Sequence, residues 1–410
     1  MEAGDRFPVT ESEVVAEICR VSGELAESLS AVLADLGLDR ATSGELGRAL
    51  GVSRILAHRL LTSIGKKDPL ATAHAIPGPD PLQRVLKSAR SKGSNAELVA
   101  RADRAVGEFS ELVQSVGGDR AGLDAIIASS LPEARTKIEA AAKQSVYRGM
   151  RQLAGVAADI TLQTSIIRPS DTDPDRHDWA TVHGLFGVRR LRPGANLKLG
   201  VKSGADLEGA RHRTLTGEPV DDLRGLLLPE FASGPPAKVS LEQVDTRMVY
   251  QLDWGDEVGS GTERDVIIGE LYRAAMRRAR PADDPRPMAG IISGVEVPTR
   301  VGIYDVILHR DVFPDWIPQV RILETGERGS ADPNDATRDV DVLNVLERVD
   351  ELGWRTDRFR TEEIPRYVDL LRHTCDALKW DPEEFRGYRT RIDYPIWNSQ
   401  VQFSFEVPIG

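Results

Sequence analysis

Ser43-Gly44-Glu45-Leu46-Gly47-Arg48-Ala49-Leu50-Gly51-Val52-Ser53-Arg54-Ile55-Leu56-Ala57-His58-Arg59-Leu60-Leu61 sets the reading of the whole N-terminal region. Leu46 and Leu50 lie one helical turn apart and supply the apolar face of a short helix. Gly47 permits a neighbouring helix to approach closely, and Gly51 permits the positive backbone angle of a tight turn. Val52 plugs that turn and Ser53 caps the next helix, which Leu56, Leu60 and Leu61 fasten to its partners.

Outward from this segment the helical pattern continues. Val14, Val15, Ile18, Val21, Leu25, Leu29, Val32, Leu33 and Leu36 recur mostly three and four apart, predicting a helix over 11–36 that Gly37 ends. Ser43 to Leu50 forms a second helix, and a third follows Ser53 to about Ser63. Pro69, Pro77, Gly78, Pro79 and Pro81 make residues 66–81 a stiff, irregular connection, in the place where a wing would lie. Capping boxes at Ser94/Glu97 and Ser130/Glu133 start two further helices, one ending at Gly117-Gly118 and one reaching about Ala154.

The 43–61 segment resembles the helix-turn-helix of bacterial transcription regulators, whose usual form is Leu-Ala-x-x-Leu-Gly-Val-Ser followed by a recognition helix. Gly47 stands here in place of the usual Ala, Leu56-Ala57 where Thr-Val is common, and Arg59 where an Arg is often seen. The resemblance covers about 25 residues, or about 65 with the first helix and the connection. It implies a winged-helix-like DNA-binding unit, of no particular regulator family.

Charge points the same way. The chain has 410 residues, 53 Lys plus Arg and 64 Asp plus Glu, for a net −11. Between Arg40 and Lys67 the bases are Arg40, Arg48, Arg54, Arg59, Lys66 and Lys67, against the single acid Glu45, a local excess opposite to the chain's overall sign. Arg54 lies in the first turn of the recognition helix, where an arginine can pair two-pronged with guanine. His58 shares that face, and Ile55 does so less closely. Arg59 and Lys66-Lys67 suit phosphate contacts. The expected DNA-binding set is Ser53, Arg54, Ile55, His58, Arg59, Arg48, Lys66 and Lys67.

Past residue 150 the composition changes. Of the aromatic residues only Phe7, Phe109 and Tyr147 precede position 151, and the second part holds almost all of the net negative charge. Segments 156–167, 181–189, 197–201, 239–252, 291–297 and 301–309 read as strands, as does 401–407, where Val401, Phe403, Phe405 and Val407 alternate with polar residues and predict one buried face. Helices are expected at 262–280, 362–379 and 340–352, and loops at 168–178, 281–287 and 326–338. The expected class is α+β: a helix-turn-helix domain at 1–81, a helical linker or dimerisation region at 82–154, and an α+β sensing or interaction domain at 155–410.

Several motifs fail on inspection. Leu308-His309-Arg310-Asp311 has the order of a kinase catalytic loop, but position 316 is Trp rather than the required Asn. Gly255-Asp-Glu-Val-Gly259-Ser-Gly261 fits no phosphate loop and reads as a hairpin turn. Asp175, His177, Asp178 and His183 fit no compact metal spacing. A sugar-kinase-like partner domain would need Asp-x-Gly-x-Thr, which is absent. Arg189-Arg190-x-Arg192 reads as a solvated strand edge, and Trp179, Trp254, Trp316 and Trp397 as sheet core or the lining of an effector pocket.

Cys19 and Cys375 make neither a disulfide framework nor a metal knuckle, and the N-terminus lacks the apolar stretch of a secretory signal. The expectation is a cytoplasmic homodimeric regulator that binds double-stranded DNA, without catalysis, cofactor, metal or membrane contact, whose C-terminal domain senses a small-molecule effector or a partner, neither identified by the sequence. The alternatives are an assembly protein using the three-helix unit for protein contacts, and an enzyme whose chemistry resides in the C-terminal domain.

Overall fold

The computed structural model describes residues 11–203, 212–234, 238–244, 247–253, 255, 257–259, 261–314, 316 and 319–410. The chain is α+β and divides into two compact units, Met1–Glu139 and Ala140–Gly410.

The first unit is helical. α1 (Glu11–Asp35) is followed by α2 (Ser43–Leu50), α3 (Arg54–Ile64), α4 (Pro69–Ala75), α5 (Pro79–Ser91), α6 (Ala96–Leu112) and α7 (Arg120–Ser130). One apolar core runs through it. Ile18, Leu25 and Leu29 of α1 meet Leu46 and Leu50 of α2, Leu60 of α3, Leu82 and Leu86 of α5 and Phe109 of α6. Residues 66–81, expected to be irregular, instead hold α4 and the start of α5. Pro69 and Pro79 each occupy a first helical turn, where a missing N–H costs nothing, and Asp68 caps α4 through its side chain. Helix thus lies where a wing was expected. The Ser94 capping box also fails. Asn95 is the N-cap of α6, while the Ser94 hydroxyl donates to Asp35 at 2.8 Å. After α6 the chain makes a π-turn over Val113–Gly117.

α8 (Pro132–Ala154) begins two residues after Ser130, which closes α7. From Ala140 onward it belongs to the second unit, where Lys143 pairs with Glu347 and Gln144 donates to the Tyr394 hydroxyl at 2.9 Å.

The second unit is built on a six-stranded sheet ordered β10-β11-β8-β1-β2-β6, from β1 (Val156–Pro169), β2 (Arg176–Arg190), β6 (Arg264–Arg277), β8 (Thr299–His309), β10 (Asp350–Trp354) and β11 (Phe385–Asp393). β1 and β8 are parallel; the other pairings are antiparallel. A helix, α9 (Tyr367–Leu378), packs Tyr367, Leu370 and Leu371 against Leu162, Ile166, Ile303 and Ile307. Two three-stranded sheets complete the unit. β7 (Met288–Gly294), β12 (Ser399–Glu406) and β9 (Gln319–Glu324) bury Val401, Phe403 and Phe405 against Tyr304, Val306 and Leu308. β3 (Leu197–Ser203), β5 (Arg247–Asp253) and β4 (Lys238–Val244) bury Leu197, Leu199 and Tyr250 against Leu185 and Ile268.

In the second unit four expectations are corrected. Residues 262–280 form strand β6 rather than a helix. Residues 340–352 form no α-helix; a 3-10 turn over Ala336–Asp341 ends there and the chain is then largely irregular until β10. The 239–252 segment is two antiparallel strands, β4 and β5. β12 is buried on both faces, because it is the central strand of its sheet and the 325–335 segment covers its polar side: Gln402 Nε2 donates to Ala331 O at 2.7 Å and Gln400 Oε1 accepts from Ala331 N at 2.9 Å.

Candidate nucleic-acid interface

The turn between α2 and α3 is specified by backbone chemistry. Gly51 adopts φ 62°, ψ 31°, a left-handed conformation that an L side chain resists. The N–H groups of Gly51 and Val52 both reach Gly47 O, Val52 at 3.0 Å, closing α2. At the other end of α2, Thr42 and Glu45 form a reciprocal capping box. Ser53 Oγ then accepts Leu56 N–H at 3.2 Å and starts α3.

α3 buries Ala57, Leu60 and Ser63 and turns its other side outward. That outer side carries two parallel stripes, each with i, i+4 spacing: Arg54 with His58, and Ile55 with Arg59, all exposed. Ile55 is 75% exposed, an apolar side chain left on the surface by a helix that buries Leu60 almost completely. His58 Nδ1 lies 3.5 Å from Ser43 Oγ, at the start of α2. Arg48 sits on α2 and its Nε donates to Gly44 O at 3.3 Å, so it folds back along its own helix. Lys66 and Lys67 are exposed just beyond the C-terminal end of α3, which lies about 15 Å from Arg54 at 1.5 Å rise per residue. The expected residues therefore divide. Ser53 serves the cap, Arg54, Ile55, His58 and Arg59 share the open side of α3, and Arg48, Lys66 and Lys67 flank it.

The expected DNA-binding set left out α5, most of which falls in the 82–154 region expected to be helical. Its exposed Arg84 and Lys87 line a groove of about 600 Å³ together with Ser53, Ile55 and Arg59. The available signal was the helical spacing of Arg84 and Lys87, which the neighbouring prolines obscured. Among the described residues no ion pair involves Arg54, Arg59, Lys66, Lys67, Arg84 or Lys87. Elsewhere in this unit Arg20 pairs with Glu17, Arg90 with Asp103 and Arg120 with Asp124.

The second unit contains a different kind of site. A cavity of about 650 Å³ is lined by Trp179 and Thr181 of β2, Gln163 and Ser165 of β1, Tyr250 of β5 and Tyr272 of β6. Cross-strand pairing sets Ser165 opposite Thr181, and Trp179 opposite Tyr272, whose rings lie 5.7 Å apart. Beside it, fully buried Glu270 meets His212 Nδ1 at 2.5 Å and accepts from the Tyr250 hydroxyl at 3.3 Å. Burial first, and the Glu270 charge second, push the Tyr250 and Tyr272 phenols well above their ordinary range. They therefore remain neutral hydrogen-bonding groups at any physiological pH. Such a cavity can hold a small molecule with both aromatic and polar parts.

The chain matches no model of a known protein family and no curated protein sequence.

The remaining sequence motifs take structural places. His309, at the end of β8, meets Glu384 through Nε2 at 3.1 Å and accepts Asp311 N–H through Nδ1 at 3.2 Å. Asp178 is fully buried, bound by Arg273 at 2.6 Å and by Ala274 N–H at 2.8 Å, and His177 packs edge-on against Phe313. Among the described residues no group of three or more His, Cys, Asp or Glu gathers as metal ligands. The 255–261 segment joins β5 to β6 in a different sheet, so it is not the expected hairpin turn. Arg189 pairs with Asp159 and Arg190 with Asp253, so these two hold the fold rather than form a solvated edge, whereas Arg192 is exposed and donates to Leu153 O. Trp316 is partly buried against the core and donates to Ser404 O; Trp397 is partly exposed and donates to Glu296 O; Trp254 lies outside the described residues. No helix among the described residues is long and apolar enough to cross a membrane.

Proposed function

We propose that this chain is a sequence-specific DNA-binding transcription regulator of the cytoplasm. It acts as a homodimer, its first unit reads DNA through α3, and its second unit senses a small molecule or partner. The carrying observation is the open side of α3, where Arg54, Ile55, His58 and Arg59 stand exposed among cations that have no ion pair among the described residues, in a chain of net charge −11. In this reading α3 enters the major groove with its N-terminal turn foremost. Arg54 meets a guanine edge, Ile55 a thymine methyl, and His58 the next base along. Arg59, Lys66 and Lys67 meet phosphates, with Arg48 at the margin.

Dimerisation follows from the short reach of a single recognition helix, since two related by symmetry read adjacent half-sites. The aromatic-walled cavity supports the sensing role, an occupant that prefers one arrangement of the dimer being able to alter DNA affinity. No step in this function requires catalysis or a cofactor.

Selection of the full chain against a random duplex pool, followed by gel shifts, tests the reading. Enrichment of a sequence bearing two related half-sites is expected. Failure to enrich any sequence, with no salt-dependent duplex binding, overturns it. Ordered multimers formed without DNA in that same outcome would favour the assembly role.

A further inference from the structure

α5 carries two stripes with the same spacing. Leu82, Val85, Leu86 and Ala89, at i, i+3, i+4 and i+7, are buried in the core. Arg84, Lys87, Ser88 and Ser91 repeat that interval two residues later, about 200° around the helix, and all four line the groove shared with the α2–α3 turn and α3. The third cation of the helix, Arg90, lies off this stripe and is bound to Asp103 on α6. Position therefore separates the cations of α5. The one that faces α6 is neutralised, and the two that face the groove are exposed with no ion pair among the described residues.

Across the groove stand Arg59 and the hydroxyl-bearing Ser53. Like charges gathered on both walls repel one another, so the arrangement favours an anionic occupant over an empty groove. An apolar peptide would find Leu50, Val52, Ile55, Leu56 and two prolines as partners, but beneath a rim of guanidinium and ammonium groups that it cannot pair. Hydroxyls and cations at the lip match what a phosphodiester chain accepts.

We propose that α5 is a second DNA-contacting element, and that Arg84 and Lys87, with Arg59 across the groove, clamp the phosphate backbone beside the site where α3 reads bases. This rests on the DNA-binding reading and extends the interface beyond the helix-turn-helix segment. α5 thereby fixes the register of α3 without adding sequence preference, because phosphates are the same at every step.

The test is the salt dependence of binding of the full chain to its selected duplex and to a scrambled one. R84Q/K87Q should weaken binding to both duplexes by the same factor. It should also flatten the slope of log K against log salt by about 1.8, from about 0.9 per neutralised phosphate. R84K/K87R should keep the wild-type slope, and R90Q should leave it unchanged. An R84Q/K87Q slope equal to wild type overturns the inference while leaving the α3 reading intact. So does a flattened slope in R90Q of the same size, or a loss confined to the selected duplex. Wild-type protein that binds no duplex removes both readings together.

Discussion

Val52 and Gly47 are tied backbone to backbone. Val52 N–H donates to Gly47 O at 3.0 Å, and Val52 O stands 3.0 Å from where a Cβ on residue 47 would lie. The same glycine thus closes α2 and leaves room for the chain to enter α3. Ala at this position would gain about 1 kcal/mol of helix propensity and lose a similar amount to the close contact. Gly47→Ala is therefore expected within about 1 kcal/mol of wild type by urea denaturation, whereas Gly47→Leu should destabilise the first unit by more than about 2 kcal/mol. Equal stability of the two variants would contradict the close approach.

Base reading by α3 separates two kinds of variant. Arg54→Ala should cost about 1–3 kcal/mol on the selected duplex, or roughly 5- to 150-fold in affinity, and relax preference at one base position. Lys66→Gln with Lys67→Gln should weaken all duplexes alike. Binding measured on single-base variants of the selected site distinguishes these patterns. Unaltered preference in the Arg54→Ala protein would exclude that residue as a base reader.

In the second unit, Asp305 is fully buried beneath the guanidinium of Arg389, which it binds through both oxygens at 2.8 and 2.7 Å, and it also accepts from Tyr367 at 2.6 Å. Asp305→Asn leaves Arg389 charged and nearly inaccessible to water. A loss of about 3–5 kcal/mol in the stability of this unit is expected. A loss below about 1 kcal/mol, by thermal or urea denaturation, would show that the pair is not the buried anchor described.

Burial, reinforced by the Arg278 charge and opposed by Asp178, pushes His177 down to about 4. The unfolded chain then binds a proton near pH 6.5 that the folded one refuses. The stability this residue contributes is therefore complete above about pH 6.5 and is lost as the pH falls toward 4, by an amount on the order of 3 kcal/mol. Melting temperature should drop more steeply over that interval in wild type than in His177→Gln. Parallel curves would contradict a neutral buried ring.

The first unit was readable wherever one residue did one job. Gly51, Ser53 and the leucines at i, i+3 and i+4 placed α2 and α3 correctly. α4 was hidden because Pro69 and Pro79 read as breakers, although a proline at a helix start removes a donor the helix would not use. β6 was mistaken for a helix because both its faces are buried, which erases the alternation of a half-exposed strand, and because Ala274, Ala275, Met276 and Arg277 are good helix formers. The groove between α3 and α5 depends on tertiary packing. The strand-rich cavity likewise joins residues far apart in the chain. Gln163 and Tyr250 reach one wall only through sheet pairing, which no local spacing records.

The most direct measurement of the central claim is the affinity of the full chain for its selected duplex between 50 and 200 mM salt. With Arg59, Lys66, Lys67, Arg84 and Lys87 each neutralising one phosphate, log K should fall against log salt with a slope of about −4.5. A slope near zero, or no duplex binding at 50 mM salt, would contradict the assignment of this face to DNA.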